Sequence, residues 1–269
     1  MQKNICVIIP TFNRYLITKA CIERLQQQTL LPTHIILCDS NSSDETPSLI
    51  NQNTVYMVNL SQHHWWAAAV NEGIDKALEL DAECILILND DVLFDEDLLA
   101  ELYEAHCRKP ECIVIPMQVD SVGEFTGIKY SKIFKLPSKV CLEAMPDVTN
   151  GCCIFFDSKI LKKTGKIDSE RFPHLCADFN FFVKAGKSGV QIHVASNARI
   201  VQLPNTDYLK RIPFKRILTA VNSPLNIKAH YYYGRELFNG NLGLFTVGVI
   251  HNLKYAFNVF KISLKKIYE

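Results

Sequence analysis

Asn89-Asp90-Asp91 follows directly on the apolar run Cys84-Ile85-Leu86-Ile87-Leu88. Two adjacent carboxylates at the end of a buried strand are suited to holding a hard divalent cation, Mg²⁺ or Mn²⁺, which in turn can neutralise a phosphate. The alternative is that they only open a turn before the helix expected at Asp95. Two further polar segments end apolar runs in the same way. Pro10-Thr11-Phe12-Asn13-Arg14 follows residues 5–9, and Asp39-Ser40-Asn41-Ser42-Ser43-Asp44 follows residues 35–38. In an open α/β sheet, ligands bind beyond the carboxyl ends of the strands. Asp39 is thereby placed to meet a ligand shared with Asp90 and Asp91, as a carboxylate that bonds a ribose or base. Its other reading is a cap for the next short helix.

The elements needed to align these ends are legible. Residues 5–9, 35–38, 55–58, 84–88 and 112–115 read as five strands, each bounded by polar turns. Between them lie helical patterns. Ile17, Cys21 and Leu25 share one face, as do Val70, Ile74, Ala77 and Leu78, and a third helix is expected from Asp95 to Cys107. Such alternation predicts a parallel, doubly wound α/β sheet. Residues 117–148 break the pattern and read as a loop or hairpin excursion. A strand resumes at Asn150–Phe156, a helix is expected from Asp178 to Ala185, and two short strands follow at 191–194 and 199–203.

Composition narrows the function classes. A chain of 269 residues, 48% hydrophobic and 21% charged, has room for one sizeable core. Ten cysteines lie without metal-ligand spacing, mostly in apolar runs, and read as reduced core residues of a cytosolic protein. The start at Met1-Gln2-Lys3-Asn4 has no long apolar signal region. No GxGxxG follows the first strand and there is no P-loop, which argues against a dinucleotide oxidoreductase and a P-loop kinase. Charge is uneven. Residues 208–269 hold ten Lys/Arg and two Asp/Glu, a net +8; the 19 basic and 26 acidic residues of 1–207 leave that part at −7. A basic tail on an acidic body suits an anionic surface.

In order along the chain, Val7-Ile8-Ile9-Pro10-Thr11-Phe12-Asn13-Arg14, the Asp39–Asp44 segment, Trp65–Ile74, Asn89-Asp90-Asp91 and Pro173-His174 with Ala177-Asp178-Phe179 resemble the inverting nucleotide-sugar glycosyltransferases of the GT-A fold. The nearest likeness is to the rhamnosyltransferase-like group that builds bacterial surface polysaccharides such as O-antigen or capsule. The resemblance covers about residues 4–205. It implies a mostly parallel Rossmann-like sheet flanked by helices, with a GT-A domain over 1–207 and a C-terminal helical extension over 208–269. The nucleotide-sugar half would span about 1–116 and the acceptor half about 117–207. It implies that Pro10, Thr11, Asn13, Arg14, Asp39, Asn41, Asn71, Asn89 and Asp90 line the nucleotide-sugar pocket. Asp91 would be the ligand of a divalent cation, Mg²⁺ or Mn²⁺, and Asp178 the general base. Trp66, Gly151 and His174 fall on the acceptor side. Two departures stand out. Ala177 precedes Asp178 where the family often has an acidic pair, and Gln202 stands where many members have a metal-binding histidine.

Some residues keep two readings. One of Trp65 and Trp66 is either an apolar wall for sugar or base, or a core anchor at a helix start. His174 is either an acceptor contact or a solvated loop residue. His63 and His64 receive no role. In the tail, His251, Lys254, Asn258, Lys261 and Lys265 form a polar stripe opposite Leu253, Phe257, Phe260, Leu264 and Ile267, an amphipathic helix whose polar interruptions argue against a membrane span. The expectation is that it lies on the cytoplasmic face of the inner membrane, where a lipid-linked acceptor would be presented; packing on the enzyme or a second subunit is the other reading. The expected partners are a nucleotide-sugar donor and a glycan or lipid-linked acceptor, with no nucleic acid. The rivals are a sugar nucleotidyltransferase, against which the first loop lacks the glycine- and arginine-rich pattern, and a non-catalytic glycan-binding or scaffold protein.

Overall fold

The structure is a computed structural model. It describes residues 3–50, 54–62, 64–120, 123–132, 136–140, 145–203 and 212–240, with positions 250, 253, 254, 257 and 261. The expected tail helix falls mostly outside the described residues, as does His63.

Four strands form the parallel half of the sheet: β1 (Ile5–Thr11), β2 (His34–Asp39), β3 (Val55–Asn59) and β4 (Cys84–Leu88). β1 lies between β2 and β4, and β3 flanks β2. Their residues alternate between two apolar layers, as a strand's two faces require. Cys6, Ile8, Ile85 and Ile87 pack into one layer, and Ile5, Val7, Leu86 and Leu88 into the other. The helix α1 (Tyr15–Gln26) connects β1 to β2 and α2 (Trp66–Glu79) connects β3 to β4, while α3 (Leu98–Arg108) follows the short strand after β4.

Beyond β4 the sheet is mostly, not wholly, parallel, as the GT-A resemblance implies. β10 (Cys153–Asp157) inserts antiparallel between β4 and β6 (Ile113–Asp120). β11 (Ile192–Gln202) runs parallel to β6 and pairs antiparallel with the short edge strand β5 (Val92–Phe94). The sheet is therefore mixed, with its parallel half intact. The direction of β10 has no signal in the sequence, because a fully buried strand has the same apolar run whichever way it points. The two short strands expected near 191–203 are one strand, whose pairing with β6 shifts register between Ala195 and Arg199. The 117–148 region is an excursion as expected. β7 (Gly123–Phe125) folds back on β6, and β8 (Gly127–Tyr130) pairs with β9 (Pro137–Val140) in a separate ribbon.

Two helix faces also turn differently. Thr18, Cys21, Ile22 and Leu25 are the buried residues of α1, while Ile17 is 38% exposed. Leu78 of α2 is exposed, and Ala67, Val70, Gly73, Ile74 and Ala77 are buried. Gly73 lets α2 approach the sheet closely: a Cβ there would collide with Ile8 and stand 2.7 Å from Cys38 Sγ. Gly73→Ala should lower stability by about 1–3 kcal/mol through overpacking, read as a fall in the thermal unfolding midpoint.

Three shorter or later helices complete the described chain: α4 (Leu161–Thr164), α5 (Ala177–Lys187) and α6 (Ile227–Leu237). α6 comes from the expected extension and packs against α5. The Tyr233 hydroxyl lies 2.8 Å from that of Tyr130, and Glu236 pairs with Arg171 and Lys187. Among the described residues, no helix is long and apolar enough to cross a membrane.

Candidate active site

Beyond the C-terminal end of β4, the three residues Asn89, Asp90 and Asp91 point to three different tasks. Asn89 Oδ1 accepts from Trp66 Nε1 at 2.9 Å. Asp90 turns inward, 2% exposed, and its Oδ2 accepts from Thr18 Oγ1 at 2.8 Å and Thr11 Oγ1 at 3.3 Å. Asp91 remains at the edge of β5, where its main-chain oxygen accepts from Leu203 at 2.8 Å. Arg14 bridges the two carboxylates, with Nη1 2.8 Å from Asp90 Oδ1 and Nη2 3.0 Å from Asp91 Oδ2. Burial pushes the Asp90 carboxyl up to about 6; Arg14 opposes that rise and neighbouring Asp91 adds to it.

The two nucleotide-side loops are stitched together. Asn13, at a left-handed φ of 52°, donates its main-chain N–H to Ser42 Oγ at 2.8 Å and accepts from the Ser43 N–H at 2.7 Å. Asp39 accepts from the Ser42 N–H at 3.1 Å and from the Ser42 hydroxyl. The Tyr15 N–H donates to Asp44 at 3.0 Å. Asp39 thus braces its own loop while Asn41, also at positive φ, stays exposed on it. Pro10 and Thr11 close the end of β1, where the Ser40 N–H bonds the Thr11 carbonyl at 3.0 Å. Asn71 stands apart from this group. Its amide exchanges two hydrogen bonds with the Ile167 main chain, at 2.8 and 3.1 Å, and ties α2 to the loop before α5.

On the other side lies a cavity of about 320 Å³ whose lining includes Trp66, Asn89, Gly151, His174, Asp178 and Gln202. Asp178 is the one carboxylate among its lining residues. Cys176, at φ 61°, turns the chain into α5 so that Asp178 falls in the first turn. Its Oδ2 accepts from the Gly151 N–H at 2.7 Å and its Oδ1 from the Phe179 N–H at 2.8 Å. These bonds and the helix N-terminus favour the charged form. Burial outweighs them and raises the carboxyl to about 6. Such a carboxylate is ionised at neutral pH and basic enough to take a proton.

The two carboxylate segments meet at residues 151 and 152, where the Asn89 N–H donates to the Cys152 carbonyl at 2.9 Å and the Gly151 N–H to Asp178. The buried Cys152 thiol, raised chiefly by burial, also feels the charges of Asp91 and Asp178. Asn150 links the cavity to β11, with Nδ2 2.8 Å from Gln118 Oε1 and 3.4 Å from Gln202 Oε1. Gln202 lies opposite Val92, next to Asp91 in the chain.

Gly151 fits between Trp66 and Asp178 with no space to spare. A Cβ there would meet Asp178 Cβ at 2.8 Å and the Trp66 ring at 2.9 Å. Gly151→Ala should therefore displace the Asp178 carboxylate and lower turnover by about tenfold to a hundredfold. Circular dichroism and donor affinity should stay near those of the parent chain.

A divalent cation fits the Asp91 side. Asp91 is 5% exposed and its Oδ1 has no hydrogen-bond partner. Among the described residues no group of three or more His, Cys, Asp or Glu gathers to form a full ligand set. Small divalent cations need none, because they are commonly held by one or two carboxylates together with substrate phosphates and water.

Sequence reasoning missed several participants. Thr18, which holds Asp90, was readable as the polar member of the Thr18–Cys21–Ile22–Leu25 face. Ser42 and Ser43 gave no signal, because their partners lie about thirty residues away. His230 and Tyr233 bring α6 to the cavity wall. The only trace of that in the sequence was the tyrosine-rich stretch Tyr231–Tyr233.

Comparisons with known proteins identify the family and the fold. The family model described as Glycosyl transferase family 2 matches residues 6–163. A curated relative, the GalNAc(5)-diNAcBac-PP-undecaprenol beta-1,3-glucosyltransferase of Campylobacter jejuni, is 32% identical over 91 residues. That match covers 32% of this chain and only 28% of the relative's length. Among solved structures, the mannosyltransferase PcManGT from Pyrobaculum calidifontis in complex with GDP-Man and Mn²⁺ aligns with a TM-score of 0.62 at 14% identity, over 98% of this chain and 76% of that one. GalNAc-T7 with UDP, GalNAc and Mn²⁺ gives 0.64 at 11%, over 98% and 57%. TarS 1–349 of S. aureus with UDP-GlcNAc gives 0.60 at 17%, over 89% and 68%. These likenesses establish the GT-A fold.

Proposed function

The chain belongs to glycosyl transferase family 2, and from that premise we propose that it moves one sugar, with inversion, from a nucleotide diphosphate donor to a glycan or lipid-linked acceptor. The observation that carries the reading is Asp178: one half-buried carboxylate, raised to about 6, fixed by two main-chain N–H groups in a cavity that Asn89, two residues before Asp91, also lines. Inversion needs one base on the acceptor side and a stabilised leaving group on the other. It needs no second carboxylate acting as nucleophile, and among the described residues the cavity lining offers none.

The residues divide the work. The joined loops at Asn13 and Asp39 present the nucleotide-side edge. Asp178 takes the proton of the attacking hydroxyl as the bond to the anomeric carbon forms, and Gly151 and Phe179 keep its oxygens aimed. Trp66, held by Asn89, walls the space between donor and acceptor. Asp91 would hold Mg²⁺ or Mn²⁺, which supplies charge stabilisation to the departing diphosphate. Two structural neighbours, PcManGT and GalNAc-T7, were solved with Mn²⁺.

For the acceptor, two observations favour a lipid-linked glycan of bacterial surface polysaccharide synthesis. The Campylobacter relative's name specifies a polyprenol-linked acceptor. The segment 208–269 carries +8, which suits the anionic cytoplasmic face of a membrane. The test is a panel of nucleotide sugars with the full chain, Mn²⁺ and cell-derived lipid-linked acceptors. One donor should be turned over to a product of inverted anomeric configuration. Failure to bind any nucleotide or nucleotide sugar would favour the non-catalytic alternative.

A further inference from the structure

Arg14 already neutralises the carboxylates that a divalent cation would use. Its guanidinium faces Asp90 Oδ1 at 2.8 Å and Asp91 Oδ2 at 3.0 Å, and the two carboxylates are almost fully buried. We propose that Arg14 is the resident counter-cation of this pair, and that a divalent cation displaces it from Asp91 instead of joining it there. The inference rests on the nucleotide-sugar reading of the site and deepens it.

Three observations point this way. First, the carboxylates are unequally held. Asp90 has Thr11 and Thr18 on Oδ2 in addition to Arg14 on Oδ1, so it stays in place without the guanidinium. Asp91 has Arg14 on Oδ2 and no hydrogen-bond partner on Oδ1. Asp91 is the oxygen donor left open. Second, charge forbids joint occupancy at close range. A divalent ion on Asp91 would stand a few ångströms from a guanidinium in a poorly solvated site, where like charges repel strongly. Third, Arg14 is the member free to move. Its side chain is 25% exposed, against 1% and 7% for Asp90 and Asp91. It sits at the N-cap of α1, in the loop and not inside an element.

The consequence is a tax on cation binding. If the guanidinium covers Asp91 most of the time, the apparent affinity falls by the fraction of chains in which Asp91 is open. Once released, the guanidinium lies beside the expected diphosphate site, and its fork suits phosphate oxygens.

The test is direct Mn²⁺ binding to the full chain without nucleotide, read by electron paramagnetic resonance of free Mn²⁺. Arg14→Gln should bind Mn²⁺ about tenfold or more tightly than the parent chain. Arg14→Lys separates displacement from simple charge. Lysine keeps the positive charge but cannot bridge two carboxylates. Displacement predicts a smaller tightening, whereas a purely electrostatic effect leaves Arg14→Lys at the parent value and overturns the proposal. If Arg14→Gln folds poorly, Arg14→Lys carries the test alone. Asp91→Asn is the control. Mn²⁺ binding that depends on Asp91 but is not tightened by either Arg14 variant overturns the displacement and leaves the site reading standing. Mn²⁺ binding unchanged by Asp91→Asn overturns both.

Discussion

Asp178→Asn should lower sugar transfer by about 10²–10⁴-fold, the range typical of a lost general base, with donor affinity unchanged. The substitution is close to isosteric, so the cavity keeps its shape. Two opposing changes should leave stability near that of the parent chain. Removing a buried charge relieves desolvation. Against that, asparagine has one carbonyl oxygen, so either the Gly151 or the Phe179 N–H loses its acceptor, at a cost of about 1–3 kcal/mol. Thermal unfolding beside single-turnover transfer separates a dead enzyme from an unfolded one. A variant that keeps parent-like transfer would remove Asp178 from the mechanism.

The same residue sets a pH signature. The carboxylate must be ionised to accept a proton, and burial raises it to about 6. Transfer should therefore rise with pH through about 6, level off above 7, and lie roughly tenfold lower at pH 5. The effect on stability has the opposite sense. Folded Asp178 holds its proton up to about 6, against an ordinary value of 3.8. Between those values the folded chain binds more protons than the unfolded chain, so stability falls as pH rises. This contribution is fully present below about 4 and lost above about 6. Asp178→Asn should flatten the rate profile and remove its own share of the stability trend, leaving the share of Asp90, also raised to about 6, which unfolding midpoints and rate profiles from pH 4 to 8 would show.

How far these residues could be read from the chain depended on the range of the interactions that place them. The strand runs at 5–9, 35–38 and 84–88 are local apolar blocks, and the edge they share follows from parallel order alone. That put Asp39, Asp90 and Asp91 on the correct rim. What each carboxylate does there depends on neighbours distant in sequence. Asp90 belongs to Thr18, a residue the reading of Ile17, Cys21 and Leu25 as the buried face did not include. Asp39 belongs to Ser42, so it braces a loop whose opposite side is Asn13. The antiparallel insertion of β10 was equally hidden. Its direction is set by the 117–148 excursion, where short strands and turns leave no sustained period. Asp178 came to notice through resemblance, since one aspartate at a helix start is otherwise a common capping choice. Its pairing with Gly151 and its raised proton affinity arise only when β10, α2 and α5 meet.

The other large effect belongs to Asp91. Asp91→Asn should reduce transfer by about 10²–10³-fold, the usual cost of removing one preorganised charge stabiliser, or about 2.7–4 kcal/mol of barrier. It should also remove most of the sensitivity to EDTA. In the parent chain, chelation and cation return should switch transfer off and on. In the variant, the residual rate should be nearly the same with and without chelator. The reasoning starts from what asparagine retains. It keeps one neutral oxygen, which faces the Arg14 guanidinium in place of Oδ2, turns its NH2 to the unpartnered Oδ1 position, and so loses both the charge and the open oxygen that attract the cation. Arg14 keeps Asp90 as a partner, so no buried guanidinium is stranded. Asp90 should become easier to ionise, because the charge of Asp91 is one of the causes holding its carboxyl up. The fold should therefore tolerate the change better than the chemistry does. Parallel measurement of transfer, with and without EDTA, and of unfolding midpoint tests both halves. EDTA-sensitive transfer that survives in Asp91→Asn would place the working cation on other ligands, and Asp91 would then be no more than the second carboxylate of the Arg14 bridge.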